Sequence, residues 1–149
     1  MDAMVDESQS LARACADAMM KYDNASKSLG IEVVDISPGH ATLRMRVRED
    51  MLNGHGICHG GLIFTLADSC FAYACNSRNQ STVAQGCTIE FLRPGQHHDV
   101  LTAIATETSL HGRNGIYDIE VCNQNNEAVA HFRGKSRTIR GNLIDLEQI

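Results

Sequence analysis

Between Met51 and Ser77 the chain gathers an amide at Asn53, an imidazole at His59, the glycine pair Gly60 and Gly61, and one carboxylate, Asp68. The glycines stand where a loop rich in His and Gly gives way to an apolar run. If that run is a helix, its first backbone N–H groups have no internal partner and carry the positive end of the helix dipole. With no side chains at 60 and 61, a carbonyl can approach those amides closely. That is how a developing oxyanion is held. Glycines by themselves equally permit a tight loop. Asp68 tips the reading toward chemistry, because a carboxylate in an apolar helix is costly unless it is paired, neutralised or open to a cleft.

The elements that must position these groups are set by periodicity. The run holds Leu62, Ile63, Phe64, Leu66, Ala67, Phe71, Ala72, Tyr73 and Ala74, apolar on several sides of a helical wheel. It is predicted to be a buried central helix over about 60–77. On that wheel Asp68 shares a face with Gly61, Phe64, Thr65, Phe71, Ala72 and Cys75. Ser69, beside Asp68, is a weaker candidate for holding a water. Leu11, Cys15, Ala18, Met19 and Tyr22 recur at helical spacing and predict an N-terminal helix over about 5–24. Ala41, Leu43, Met45 and Val47 alternate with Thr42, Arg44, Arg46 and Arg48, a strand with one apolar and one cationic face. It pairs with a preceding strand over 31–36 through the Ser37–His40 turn. Four more strands are predicted near 82–92, 100–110, 116–122 and 128–139, with tight turns between them. Short connections give an antiparallel sheet, and the apolar helix must bury itself against it. The expected class is α+β, a sheet wrapped round a helix. Such a layer leaves edges open, so dimerisation that extends the sheet is expected.

The chain has 149 residues, which suits one domain over 1–149. Its net charge of −5 speaks against nucleic-acid binding, which needs a basic surface. The 60–77 run is too short and too interrupted by Asp68 to span a membrane. Met1-Asp-Ala-Met-Val-Asp-Glu7 carries no leader pattern, and the six cysteines read as reduced thiols in a cytoplasm. His55, Cys58 and His59 match no zinc spacing, so no metal is expected. Cys58 has no identifiable orienting partner for a cysteine nucleophile.

Leu52-Asn-Gly-His55, Cys58-His-Gly-Gly61, Leu66-Ala-Asp68 and Phe71-Ala-Tyr-Ala-Cys-Asn-Ser77 together resemble the acyl-CoA thioesterases of the hotdog fold. Cys87-Thr-Ile-Glu-Phe-Leu-Arg-Pro-Gly95, Gly115-Ile-Tyr-Asp-Ile-Glu120 and Phe132-Arg-Gly-Lys-Ser136 extend the likeness to most of 51–137. It is strongest to the branch that acts on phenylacetyl-CoA in bacterial phenylacetate degradation. The resemblance implies that the Gly60 amide polarises the thioester carbonyl. It makes Asp68 the nucleophile or the general base, acting on substrate held at the His-Gly-Gly loop of a neighbouring subunit. Asn53 then lies near the thioester or the attacking water, and His59 orients the loop or contacts the acyl sulfur. For both residues, bracing the loop through backbone hydrogen bonds is the plain alternative. The resemblance turns Arg133, Gly134, Lys135 and Ser136 toward the nucleotide and phosphates of coenzyme A. A charged edge strand is the alternative there.

The implied activity is hydrolysis of acyl-CoA, with phenylacetyl-CoA or a hydroxylated phenylacetyl-CoA as substrate. The implied enzyme is cytoplasmic, at least a homodimer and expected as a dimer of dimers. No cofactor is implied, since coenzyme A is part of the substrate. Gly61 belongs to the implied substrate loop. Phe64 and Phe71 could line an apolar acyl pocket, though core packing explains them equally well. Two alternatives remain open: a non-catalytic acyl-CoA-binding module on the same fold, and a thioesterase of broad aryl and short-chain range. A hydratase of this fold ranks last, because no His follows Asp68 on the helix.

Overall fold

Strict alternation builds the sheet. In β2 (His40–Arg46) Ala41, Leu43 and Met45 are buried while Arg44 and Arg46 face solvent. The same period of two runs through β4 (Val100–His111), β5 (Asn114–Cys122) and β6 (Ala128–Thr138). With β1 (Glu32–Ser37) and β3 (Thr82–Phe91) these strands form one six-stranded sheet in the order β1-β2-β4-β5-β6-β3. Every neighbouring pair is antiparallel. The structure, a computed structural model, describes residues 2–148.

One helix fills the hollow of this sheet. α3 is the third helix in chain order and spans Gly60–Cys75. It buries Ile63, Leu66, Ala67, Cys70, Phe71 and Ala74, packing mainly on β2, β4 and β5. Leu66 is fully enclosed, and burial of a leucine side chain is worth roughly 1.5–3 kcal/mol. The helix sits close enough for the Cys70 thiol to reach the carbonyls of Ala41 and Ala103, each at 3.3 Å.

The helix stops two residues short of the expected 77 because the Asn76 side chain takes over. Its Nδ2 donates to the carbonyls of Ala72 (2.9 Å) and Thr82 (3.1 Å), and its Oδ1 accepts from the Thr82 N–H (2.9 Å). One buried amide thus caps α3 and starts β3.

The single N-terminal helix expected over 5–24 is two helices, α1 (Asp2–Tyr22) and α2 (Asn24–Ser28). Asp23 makes the break. Its Oδ1 accepts from the Ser26 N–H at 3.0 Å, a helix N-cap, and its Oδ2 accepts from Tyr73 of α3 at 3.1 Å. Helical periodicity continues across this point, so the hydrophobic pattern alone hides the break.

The two sheet edges differ. β1 is covered by α1, whose Gln9 side chain donates to the Ile36 carbonyl. β3 pairs on one side only, with β6. That edge carries a single charge, Glu90, and no lysine or proline. Val83 and Phe91 on it, and Leu92 just beyond, are about half exposed. Edges of this kind usually end in pairing with another strand.

Candidate active site

The loop before α3 is pinned at both ends. The Cys58 N–H donates to Gly95 O (2.8 Å) and the His59 N–H to Met51 O (2.8 Å). Inside it, Asn53 Oδ1 accepts from the backbone N–H groups of His55 (2.9 Å) and Ile57 (3.4 Å). Asn53 therefore braces the loop with its oxygen, while its amide nitrogen has no acceptor among the described residues. His59 is the N-cap of α3, with Nδ1 accepting from the Gly61 N–H at 2.9 Å. In the neutral ring this places the proton on Nε2.

That cap separates the two glycines. The Gly61 amide is occupied by His59. The Gly60 amide has no acceptor among the described residues, and it opens a helix whose dipole favours negative charge. Gly60 and Asn53 share a pocket of about 310 Å³ with Ile57, Ile63, Phe91 and Pro94. An alanine Cβ at 60 would lie 3.2 Å from Phe91 Cζ, so the bare backbone keeps this space open.

Asp68 lies eight residues further along α3, roughly 12 Å by helical rise, and does not line this pocket. It is half-buried, and no cation or backbone N–H among the described residues bonds it. Its near polar neighbour is the Cys87 thiol of β3, with Sγ 4.0 Å from Oδ1. Burial pushes the Asp68 carboxyl above its ordinary value. Burial, and then the Asp68 charge, push the Cys87 thiol up as well, which keeps it a donor. Asp68 thus faces the open β3 edge. Within one chain the free amide and the free carboxylate stand at separate places.

The remaining expected residues scatter by strand and helix parity. Ser69 turns about 100° from Asp68 and meets Ser26 of α2, Oγ to Oγ at 3.4 Å, away from the carboxylate's face. Phe64 packs edge-on against Phe132 of β6, centroids 5.3 Å apart. Phe71 is buried against Tyr117 and Phe132. The Arg133–Ser136 run is split between two faces. Arg133 and Lys135 point outward, whereas Gly134 and Ser136 are buried beneath. Gly134 is small because the Phe71 ring lies on it; a Cβ there would come within 2.8 Å. Ser136 Oγ would be 2.6 Å from a Cβ at Gly115. Arg133 is held by Asp118, Nε to Oδ1 at 2.8 Å and the second nitrogen to Oδ2 at 2.9 Å. The run thus presents Arg133 and Lys135 on the outer face with Gly134 and Ser136 beneath, and Asp118 pairs with the arginine. Among the described residues no group of three His, Cys, Asp or Glu side chains is placed to hold a metal ion.

The family model of the thioesterase superfamily matches residues 55–130, which include the His-Gly-Gly loop, α3 and the strands β3, β4 and β5. The acyl-coenzyme A thioesterase PaaI of Escherichia coli (strain K12) is 49% identical over 128 residues, covering 86% of this chain and 91% of that one. The chain belongs to the thioesterase superfamily. The solved structure of the E. coli PaaI protein, from the phenylacetic acid degradation operon, superposes with a TM-score of 0.89 at 48% identity. It covers 90% of this chain and 97% of that one. A Streptococcus mutans UA159 protein solved bound to acetyl-CoA superposes with a TM-score of 0.72 at 25% identity, over 75% and 90% of the two chains. These likenesses match the α+β hotdog architecture expected from the sequence.

Two neighbours of the candidate residues carry no role in the sequence reading: Cys87 beside Asp68, and Phe91 over Gly60. A signal for them existed. Cys87, Ile89 and Phe91 alternate along β3, so one pointing at α3 implies the others.

Proposed function

We propose that the chain hydrolyses acyl-CoA thioesters at a site completed by two protomers. The observation that carries this reading is the separation of amide and carboxylate within one chain. A helix N-terminus presents the Gly60 amide, unengaged among the described residues, and the same helix presents a half-buried carboxylate, with no ion-pair partner among them, toward the edge strand β3. Pairing two copies along β3 brings the Asp68 face of one against the Gly60 pocket of the other.

In that site the thioester carbonyl oxygen accepts from the Gly60 N–H. Asp68 takes a proton from a water as the water attacks the carbonyl carbon. The resulting oxyanion is held by the same N–H and the helix dipole. Collapse breaks the C–S bond, and the proton on Asp68 neutralises the departing thiolate. A carboxylate raised by burial is a better base than one in water, and the protonated Cys87 thiol is the neighbour able to steady its charge. The Asn53 amide N–H groups, without an acceptor among the described residues, are available to the attacking water or the thioester.

The acyl group we propose is aryl-acetyl. The partly buried Phe64 shares the helix face of Asp68, and the E. coli relative comes from a phenylacetic acid degradation operon. The substrate's coenzyme A end is supported by the S. mutans neighbour bound to acetyl-CoA. A homodimer, with dimers pairing into a tetramer, and a cytoplasmic location complete the proposal. Among the described residues no helix is long and apolar enough to cross a membrane.

The test is release of free thiol from phenylacetyl-CoA and from a panel of alkyl-CoA esters by wild type and Asp68→Asn. Turnover by wild type with a loss of about 10²–10⁴ in the variant supports the reading. Binding without turnover by wild type overturns it. Single turnover in ¹⁸O-water should place the label in the product acid; label found in Asp68 would make it the nucleophile instead.

A further inference from the structure

Of the two β6 cations that the resemblance points to, Arg133 is paired with Asp118, whereas Lys135 is exposed with no carboxylate partner among the described residues; further unpaired cations lie nearby. Arg44, Arg48, Arg78, Arg93 and Arg133 each face a carboxylate within 4.0 Å. Arg113 in the β4–β5 turn, Arg137 in β6 and Arg140 just past it have no such partner among the described residues. These three meet at one end of the sheet. Arg137 is the register partner of Asn114, next to Arg113, and the Arg113 carbonyl accepts from the Thr138 N–H at 2.8 Å. Arg113 and Arg140 line a pocket of about 430 Å³ with Gln80, Thr138, Gly141 and Asn142.

The walls of this pocket are fixed by the backbone. The Ser81 N–H donates to Gly141 O (3.0 Å), and the Ile139 N–H donates to Ser81 O (2.8 Å). Asn79 is buried in the left-handed region (φ 61°), and its Oδ1 accepts from the N–H groups of Leu143 and Ile144 at 3.0 and 2.9 Å. The tail is thereby tied to the loop after α3, and Arg140 is carried on an anchored segment. In a chain of net charge −5, three unneutralised guanidiniums in and beside a rigid concavity suit a multiply charged phosphate ligand.

Its place matches the substrate. Ser81 leads directly into β3, and Phe91 at the far end of β3 packs on Gly60. Two β3 edges paired antiparallel set the Ser81 end of one copy beside the Phe91 end of the other. We infer that Arg113 and Arg140, with Arg137 alongside, bind the phosphate-bearing nucleotide end of a coenzyme A thioester whose carbonyl sits at Gly60 of the partner subunit. This rests on the proposed thioesterase function and moves the phosphate contact from Arg133 to the turn and tail arginines.

The experiment compares wild type, R113Q/R140Q and R133Q on phenylacetyl-CoA and on S-phenylacetyl-N-acetylcysteamine, which has no phosphate. R113Q/R140Q should raise KM for the CoA ester at least 10-fold with kcat within about twofold, and leave kcat/KM for the phosphate-free ester unchanged. R133Q should show no such split. Equal effects on both esters, no effect on the CoA ester, or the split appearing in R133Q alone would overturn the assignment. If R113Q/R140Q fails to fold by thermal melt, R140Q alone carries the same comparison with a several-fold KM effect. If wild type cleaves neither ester, the hydrolase reading falls and calorimetric titration with free coenzyme A decides the pocket. Weaker binding by the variant then upholds it, and equal binding ends it.

Discussion

Cys87 Sγ stands 4.0 Å from Asp68 Oδ1, and this weak contact is the carboxylate's only hydrogen-bond-type neighbour among the described residues. An ionised acid so placed costs stability. Burial raises its pKa above the ordinary 3.8, so the folded chain holds that proton more tightly than the unfolded one. The stability this group contributes is full below about pH 3.8 and is lost as pH rises through the raised folded value. Asp68→Asn cannot ionise. We expect its Tm at pH 7 to match or exceed wild type while turnover collapses. In wild type, kcat/KM should fall on the acid side with a midpoint above 3.8. A variant that loses Tm and activity together would assign Asp68 to structure.

Gly60 and Gly134 are both small for steric reasons, but with opposite consequences. A methyl at 60 meets the half-exposed Phe91 ring, which can swing away, and it blocks the pocket. Gly60→Ala should lower kcat/KM at least tenfold with little change in Tm. A methyl at 134 meets the enclosed Phe71 ring at 2.8 Å. Gly134→Ala should destabilise by about 1–3 kcal/mol, the usual cost of overpacking, as read from chemical denaturation.

His59 caps α3 beside the Gly60 amide. Removing the Nδ1 acceptor in His59→Ala should cost about 1 kcal/mol and loosen the amides at the start of α3. Asparagine is among the best capping residues. His59→Asn should therefore recover both stability and kcat, and a failure to recover kcat alone would show that the imidazole itself contacts substrate.

Behind α3, Glu107 accepts from Arg78 (2.6 and 3.1 Å) and from the Tyr117 hydroxyl (2.8 Å). Burial pushes the Glu107 carboxyl up, but the hydrogen bonds from Arg78 and Tyr117 outweigh it and leave the pKa below the ordinary 4.5. For a depressed carboxyl the contribution is present above the unfolded value and is lost as pH falls through the folded one. Glu107→Gln should flatten the acid loss of stability below about pH 4.5. Tyr117→Phe should cost about 1–2 kcal/mol at pH 7 by urea denaturation.

Buried thiols give a test of the packing itself. Burial pushes Cys58 up to about 11 and Cys70 up to about 12. Both should resist iodoacetamide at pH 8 in the native state and react promptly in denaturant, because the thiolate is the reacting form. Native labelling of Cys70 would mean that α3 does not sit on β2 and β4.

Local chemistry made much of this legible. Period-two alternation marked the strand over 41–47, turn residues bounded the other five, and the all-round apolar run marked the central helix, because each signal lies within a few consecutive residues. The Gly60–Gly61 step and Asp68 stood out for the same reason. Alternation along β6 divides Arg133–Ser136 between two faces of the sheet.

The sequence by itself determined the α+β class, the helix that carries the carboxylate, and the loop that opens it. Only the tertiary structure decided which groups are free among the described residues: His59 occupies the Gly61 amide and leaves Gly60, Asp118 pairs with Arg133, and Arg113 and Arg140 have no carboxylate partner there. The reason is physical. A residue's type and local period fix which way its side chain faces, but whether its charge or N–H is satisfied depends on strand register and loop convergence, which join positions far apart in the chain.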